Sequence, residues 1–515
     1  MTTAQLKNPR ALLTSLHQAA VQGANPFVRT RDAVIEWLHS SNIDSSARLH
    51  IFALGKAGAT MASGAAEALE QHGIKTVGGV VVVAARPSEN AAAEQGGALP
   101  TVLEIRVGDH PVPDLGSLAA ADVIARKVND VQNGDIALVL ISGGATSLCA
   151  APCAELREHF GHAAKAHELI TDLAKTLHAN GLAIHEMNAV RRRLLRWGGG
   201  RLAVALHERG AASIQVFAVS DVIGDDPSVI GSGPCSPDPI SECEFFAMLD
   251  AYNLRDKISR ALAVALGFEG SSDQRIIPPT ANSPAFDLVQ FAIVARNVDS
   301  CNAMAVRARE LGIGNVTVVT TPIMGEAETV GHTIASLALR SAADSDEEQL
   351  IVWGGEPTVS MNNDERVFGD DEGDEPLPDT LNVSAPDRPP SSFTFGADSN
   401  AGEGPNGGRM QALALAACLA FEQAEMRNDS KIAGRIALLA AGTDGRDGPT
   451  DACGAIVNFT TPMAARQHGR DPIRDLHRFR SYPALDAASA LLRTGPTGTN
   501  VMDVVAAYIA PSKAD

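Results

Sequence analysis

Large aromatic side chains are scarce in this chain: Phe, Tyr and Trp together make up 4% of 515 residues. With Ala and Gly abundant, such a composition suits closely packed α/β layers, in which helices approach sheets at short range. No run approaches the roughly 18 apolar residues of a membrane span. The start, Met1 to Arg10, is polar and lacks the apolar segment of a secretory leader. There is no Cys-x-x-Cys among the seven cysteines, an odd number. Cys149 and Cys153 lie four apart, but no second Cys or His pair completes a zinc pattern. They read as reduced thiols, so the expectation is a cytoplasmic protein without a membrane partner. Positive charge is also in short supply: 42 Lys and Arg against 61 Asp and Glu leave a net charge of −19. That balance argues against a nucleic-acid partner. An anionic small molecule remains compatible with it, because a local cluster of Lys, Arg and backbone N–H groups overrides the global field. Two nucleotide signatures are missing as well. There is no Walker-type Gly-x-x-x-x-Gly-Lys-Ser/Thr, and no strand-end Gly-x-Gly-x-x-Gly with an acid about twenty residues on.

What is present is a repeated alternation of apolar strands and amphipathic helices, 45% hydrophobic and 20% charged, over a length that calls for two domains. The expected fold class is α/β, with a mainly parallel sheet flanked by helices in each domain. The first domain covers 1–269. A Ser-, Pro- and Asn-containing stretch, Ser271 to Pro284, reads as the linker. The second covers 285–510 and opens with a strand at 287–295. From about 362 to 400 the composition turns acidic, with eight acids between Asp364 and Asp379, and reads as a surface insertion. A long amphipathic helix is expected at 155–181, and His159, His162 and His167 on it lack the i, i+4 spacing of a metal pair.

The chemistry concentrates where apolar strands stop. Strand 48–54 runs into Gly55-Lys-Ala-Gly58. Strand 102–107 delivers Gly108-Asp-His-Pro-Val-Pro-Asp114, which holds His110. Strand 136–141 ends in Ser142-Gly-Gly-Ala-Thr-Ser147, a place for an anion to meet free amides. Strand 213–218 delivers Asp221, followed by Asp225, Asp226 and the turn Gly231-Ser-Gly-Pro234. In the second half, strand 350–353 runs into Gly354-Gly-Glu356, and strand 436–441 into Gly442-Thr-Asp444. Gly407-Gly408-Arg409 opens a helix, and Thr494-Gly-Pro-Thr-Gly-Thr-Asn500 is a hydroxyl-rich loop. Open sheets bind ligands at the carboxyl ends of their strands. Amides, a Lys, an Arg and acids gathered there are the inventory of phosphoryl transfer. Asp221 holds the strand-end position, whereas Asp225 and Asp226 read as loop-shaping acids. Arg191, Arg192, Arg193 and Arg196 stand out in so acidic a chain, and Arg191 is the candidate anion contact among them.

In their order and number these loops resemble the glycerate 2-kinases whose C-terminal half is called the MOFRL domain, and the resemblance covers nearly the whole chain. It implies a Rossmann-like N-terminal domain, a MOFRL-type C-terminal domain and an active site between them. It implies transfer of the ATP γ-phosphate to the 2-hydroxyl of D-glycerate, with Mg2+ or another divalent cation. By the same resemblance Lys56 and Arg409 are the catalytic cations, and Asp221 orients the acceptor hydroxyl or serves the metal. Ser142, Gly143, Gly144, Ala145 and Thr146 form the oxyanion cradle, with His110 and Arg191 on the substrate side. Gly355, Glu356, Gly408 and Asp444 line the nucleotide side. The partners are then ATP and D-glycerate, on a monomer or homodimer. Relatives of the family also carry the label hydroxypyruvate reductase, so an NAD(P)H-dependent reductase is the rival reading, and a non-catalytic sugar-acid or nucleotide sensor a third. Two departures stand out. Met410 follows Arg409 where the family commonly has Asn. Gly198 stands where a Lys is usual, with Arg192, Arg193 and Arg196 as neighbouring stand-ins.

Overall fold

The computed structural model describes residues 8–85, 99–110, 112–160, 173, 176, 177, 180, 182, 184–254, 257–258, 260–266, 276–359, 406–427 and 430–512. The acidic insertion, His162 and His167 lie outside these residues, as does the side chain of His159.

Two six-stranded sheets carry the chain. The first contains β1 (Arg48–Leu54), β2 (Lys75–Val83), β3 (Glu104–Val107), β4 (Ile136–Ile141), β5 (Ser213–Val219) and β6 (Val289–Ala295). Its spatial order is β3-β2-β1-β4-β5-β6, with every neighbouring pair parallel. The central strands are continuous apolar runs because helices cover both faces: after its first residue, β4 (Ile-Ala-Leu-Val-Leu-Ile) is buried throughout. The edge strands β3 and β6 are only partly covered. The order reverses between β1 and β4. In a sheet of this topology that point leaves a crevice at the carboxyl ends of the strands, and both the Lys56 loop and the Ser142–Thr146 loop leave from it.

The second sheet contains β7 (Asn315–Val318), β8 (Gln349–Gly355), β9 (Ile436–Gly442), β10 (Gly454–Val457), β11 (Leu491–Leu492) and β12 (Asp503–Ile509), in the order β11-β10-β9-β12-β8-β7. β7, β8, β9 and β11 point one way, and β12 and β10 are inserted against them. β12 is not among the strands expected above. It is buried at every position and sits between β8 and β9, with Asp503 paired to Gly355 on one side and Gly442 on the other. Because β12 is antiparallel to both, its first residue lies at their carboxyl ends. The helix Arg409–Met426 is buried almost all round, the pattern of a helix enclosed by other elements. It packs closely on the helix Ala327–Asp344, where a Cβ on Gly331 would come within 2.4 Å of the Leu413 carbonyl.

Two elements depart from the division expected from the sequence. The strand expected at 287–295 to open the second unit runs Val289–Ala295, pairs with β5 and completes the first sheet. The helix Pro9–Gly23, expected in the first unit, buries Leu12, Leu13 and Leu16 in one cluster with Leu350, Val352, Leu439 and Val504 of the second sheet. Strand and helix periodicity reports local burial and leaves open which sheet is the partner. The seven cysteines are unpaired thiols, six of them buried. No helix among the described residues is long and apolar enough to cross a membrane.

Candidate active site

The loops after β1 and β4 are stitched together. The Lys56 amide donates to the Gly143 carbonyl (2.9 Å), and the Ala57 amide to the buried Ser142 hydroxyl (3.0 Å). Ser142 is therefore a joint between the loops, and a Cβ at Gly55 would collide with it at 2.2 Å. The amides of Gly143 and Gly144 donate to no acceptor among the described residues, so these two N–H groups are open to an anion. Thr146 is turned to Ser232, hydroxyl to hydroxyl at 2.8 Å. Above Gly144, Lys56 and His110 meet: a Cβ there would lie 3.2 Å from Lys56 Cγ and 3.1 Å from His110 Cδ2. The Lys56 ammonium is exposed and enters no ion pair among the described residues. Burial and the nearby Lys56 push His110 down to about 4, so its ring is neutral near pH 7.

Asp221 stands at the end of β5, its carboxylate against the bare backbone of Gly143, where a Cβ would come within 1.9 Å of Oδ2. The next atom near that position is Asn500 Nδ2 at 3.3 Å, from the C-terminal loop of the second sheet. Burial and repulsion from Glu356 raise Asp221 to about 6, against the pull of Lys56, its own amide and Arg409. Glu356 and Arg409 belong to the second sheet, so charges from both sheets act on one carboxylate. Asp225 and Asp226 are elsewhere engaged. Asp226 accepts the Ser228 amide at 2.8 Å, and Asp225 adopts a left-handed φ of 54° and faces Arg296 at 3.6 Å.

Arg409 opens its helix and is held by two carboxylates. Nε donates to Asp503 Oδ2 (2.6 Å), Nη2 to Asp503 Oδ1 (3.3 Å) and Nη1 to Glu356 Oε1 (2.7 Å). A guanidinium has five N–H donors, so two are left over. Burial works against its charge, but Asp503 and then Glu356 outweigh that and raise its pKa. Asp503 is buried, and burial lifts it to about 7 despite Arg409, with Glu356 and Asp447 adding repulsion. Asp447 caps the helix from outside, accepting the amides of Met410 (3.2 Å) and Gln411 (2.7 Å). Gly408 has to be glycine here, since a Cβ would sit 2.2 Å from Asp447 Oδ1. Burial raises Asp447 to about 6. Asp444 folds back on its own turn, accepting the Arg446 amide at 3.0 Å. It lies beside Asp503 around Gly442, whose added Cβ would be 3.2 Å from Asp444 Oδ1 and 3.4 Å from Asp503 Oδ1.

Lys56, His110, Gly143, Gly144, Asp221, Glu356 and Arg409 are thus linked through contact or charge, and Asp444 borders them. The arginine run is mostly structural. Arg192 pairs with buried Asp238 (3.1 Å), Arg196 with Asp122 (2.6 Å), and Arg193 lies over the Phe245 ring at 3.8 Å. None of the three is a free stand-in for the Lys absent at Gly198. Among the described residues no hydrogen bond or ion pair ties Arg191 to the strand-end loops, and burial lowers its pKa. Four residues that the sequence reading passed over belong to the site or its frame: Asn297, Asp447, Asn500 and Asp503. Asn500 and Asp447 sit in glycine-rich stretches already marked as loops, so their neighbourhood was a signal. Asp503 and Asn297 carry none.

A fully parallel sheet with a lysine loop at its switch point, and a second, mixed sheet with an acid-held arginine at its strand ends, define a two-sheet α/β protein. The chain matches the family model described as "Domain of unknown function (DUF4147)" over residues 12–267, and the one described as "MOFRL family" over 399–503. It is 30% identical to the D-glycerate 2-kinase of Thermotoga maritima over 93% of this chain and 94% of that one. It is 29% identical to the glycerate 2-kinase of Pyrococcus horikoshii over 95% of each. A crystal structure of a glycerate kinase from Thermotoga maritima superposes with a TM-score of 0.69 at 28% identity, covering 97% of this chain and 99% of that one. The chain belongs to the glycerate 2-kinase family.

Proposed function

We propose that the protein transfers the γ-phosphoryl group of ATP to the 2-hydroxyl of D-glycerate, with both substrates held between the two sheets. What supports this is the placement of Asp221 of one sheet beside Asn500 of the other over Gly143, with the charges of Glu356, Lys56 and Arg409 acting on its carboxylate. Phosphoryl transfer needs little covalent chemistry from a protein and much positioning of charge. Lys56 and the two spare N–H groups of Arg409 take the transferring oxygens, and the Gly143 and Gly144 amides take an oxyanion. Asp221, ionised above about pH 6, accepts the proton of the acceptor hydroxyl. Glu356 and Asp503 hold the guanidinium in one orientation.

The residues also fit a divalent cation brought by the nucleotide. Among the described residues no group of three or more His, Cys, Asp or Glu side chains could hold a metal. Asp221 and Glu356, whose charge acts on Asp221, are the carboxylates that would hold Mg2+, which takes most of its ligands from phosphates and water. When bound it neutralises phosphate charge.

The order of the first sheet is that of dinucleotide-binding folds, which favours the reductase reading. Against it, the loop after β1 is Gly55-Lys-Ala-Gly58, without the three-glycine spacing, and the described end of β2, Val83-Ala-Ala85, carries no acid for a ribose. Purified protein with ATP, Mg2+ and D-glycerate is expected to release ADP and 2-phosphoglycerate, seen by phosphorus NMR, and to oxidise no NADH or NADPH with hydroxypyruvate. Formation of 3-phosphoglycerate would overturn the position; hydride transfer without ADP release would overturn the reaction.

Lys56→Met is expected to lower kcat by about 10²–10³-fold, the scale of one lost electrostatic donor. The same change removes one of the two causes holding His110 down, so the ring should titrate above its present value of about 4. Histidine NMR of the variant checks this independently of turnover.

A further inference from the structure

Asn297 takes no part in the chemistry above. It opens the helix Asn297–Glu310 just after β6, at the edge of the first sheet. Its carboxamide nitrogen donates across to the second sheet, to the carbonyls of Val501 (2.8 Å) and Asp503 (2.9 Å). The carboxamide oxygen fills the space over Gly354 of β8, where a Cβ would come within 1.7 Å of it. The residue between the two gripped carbonyls, Met502, has a φ of 66°. A non-glycine residue keeps a left-handed conformation only where its surroundings over-determine it. The Met502 carbonyl is held from the other side by the Thr443 hydroxyl (2.7 Å) and amide (3.1 Å). Three successive carbonyls are thus pinned.

The pinned turn joins two residues of the candidate site: Asn500, beside Asp221, and Asp503, on Arg409. The other end of the connection is equally short. The Ser220 amide donates to the Ala295 carbonyl (2.9 Å), so Asp221 follows directly on the strand pair from which Asn297 springs. One continuous path runs from Asp221 through Ser220, Ala295 and Asn297 to the 501–503 turn, and on to Arg409.

We infer that Asn297 is a positioning residue for phosphoryl transfer: it sets the placement of Asp221 against Arg409 by holding the 501–503 turn in its left-handed form. The inference rests on the kinase reading. Asn297→Ala in the full chain is expected to lower kcat by about 10–100-fold, the effect of a displacement on the order of 1 Å, with both KM values within about threefold. A clamp serving only the fold would lower the melting temperature and leave kcat of the folded enzyme intact. Added to Asp503→Asn, Asn297→Ala should reduce kcat less than about threefold further, because the group it places is already gone. Thr443→Val loosens the same turn from the opposite side and should show the same kcat-against-KM split, which covers the case of an Asn297→Ala chain that does not fold. Multiplicative losses in the double variant, or an unchanged kcat in Asn297→Ala, overturn the inference while leaving the kinase reading in place. A wild-type chain that forms no phosphorylated product overturns the kinase reading itself.

Discussion

Arg409→Ala is expected to lower kcat by about 10³–10⁵-fold, the range found when an arginine that stabilises a phosphoryl-transfer transition state is lost. Three of its five donors are spent on Asp503 and Glu356, which fixes the guanidinium before substrate arrives. The side chain is 33% exposed, as is that of Glu356, but that of Asp503 is 4% exposed. Removal therefore leaves one buried and one half-buried carboxylate without their cation. A fully buried pair would cost about 3–5 kcal/mol when broken; solvent reaching Arg409 reduces this to about 1–3 kcal/mol. Asp503 already titrates at about 7, so below neutrality it takes up a proton and the loss shrinks; above neutrality it grows. Steady-state kinetics and melting at pH 6 and pH 8 check both halves. Arg409→Lys keeps the charge but not the fork, and should recover stability more than turnover. Near-normal turnover in Arg409→Ala would remove this residue from the chemistry.

Asp221→Asn is expected to cost about 10²–10⁴ in kcat, the contribution of a positioned general base. In the wild type, kcat/KM should fall on the acid side of about pH 6, where Asp221 takes up a proton, and that limb should vanish in the variant. Stability runs the other way. Asp221 and Asp447 at about 6, and Asp503 at about 7, all titrate above the ordinary Asp value near 4. Between about pH 4 and those values the folded chain holds protons that the unfolded chain has released. Stability from these groups therefore declines as pH rises through the window. The protein should melt higher at pH 5 than at pH 7.5 while turning over faster at pH 7.5. A melting temperature that climbs across the same interval would show that the three acids are not the groups that dominate.

Much of this site could be read before the fold was known, for a local reason. Lys56, Ser142 to Thr146, Asp221, Glu356 and Asp444 each follow an apolar strand within a few residues, and a strand covered on both faces is a continuous apolar run that announces its own end. Arg409 could be found because two glycines precede a helix. In the arginine run, Arg192, Arg193 and Arg196 are engaged by Asp238, Phe245 and Asp122, which come from distant segments and leave no local signal. The part Ser142 plays in joining two loops, its hydroxyl accepting the Ala57 amide, has no such local signal.

By itself the sequence determined the class of fold and the glycine-rich strand ends, because strand ends and helix starts are written in neighbouring residues, and its family resemblance pointed to the three side chains proposed for the chemistry. Only the tertiary structure decided that β6 completes the first sheet, that the helix Pro9–Gly23 serves the second, and that Asp503 holds Arg409. β12 runs against its neighbours, so its first residue lies where theirs end. Direction and register between strands far apart in the chain are set by packing across the sheet, and no local pattern records them.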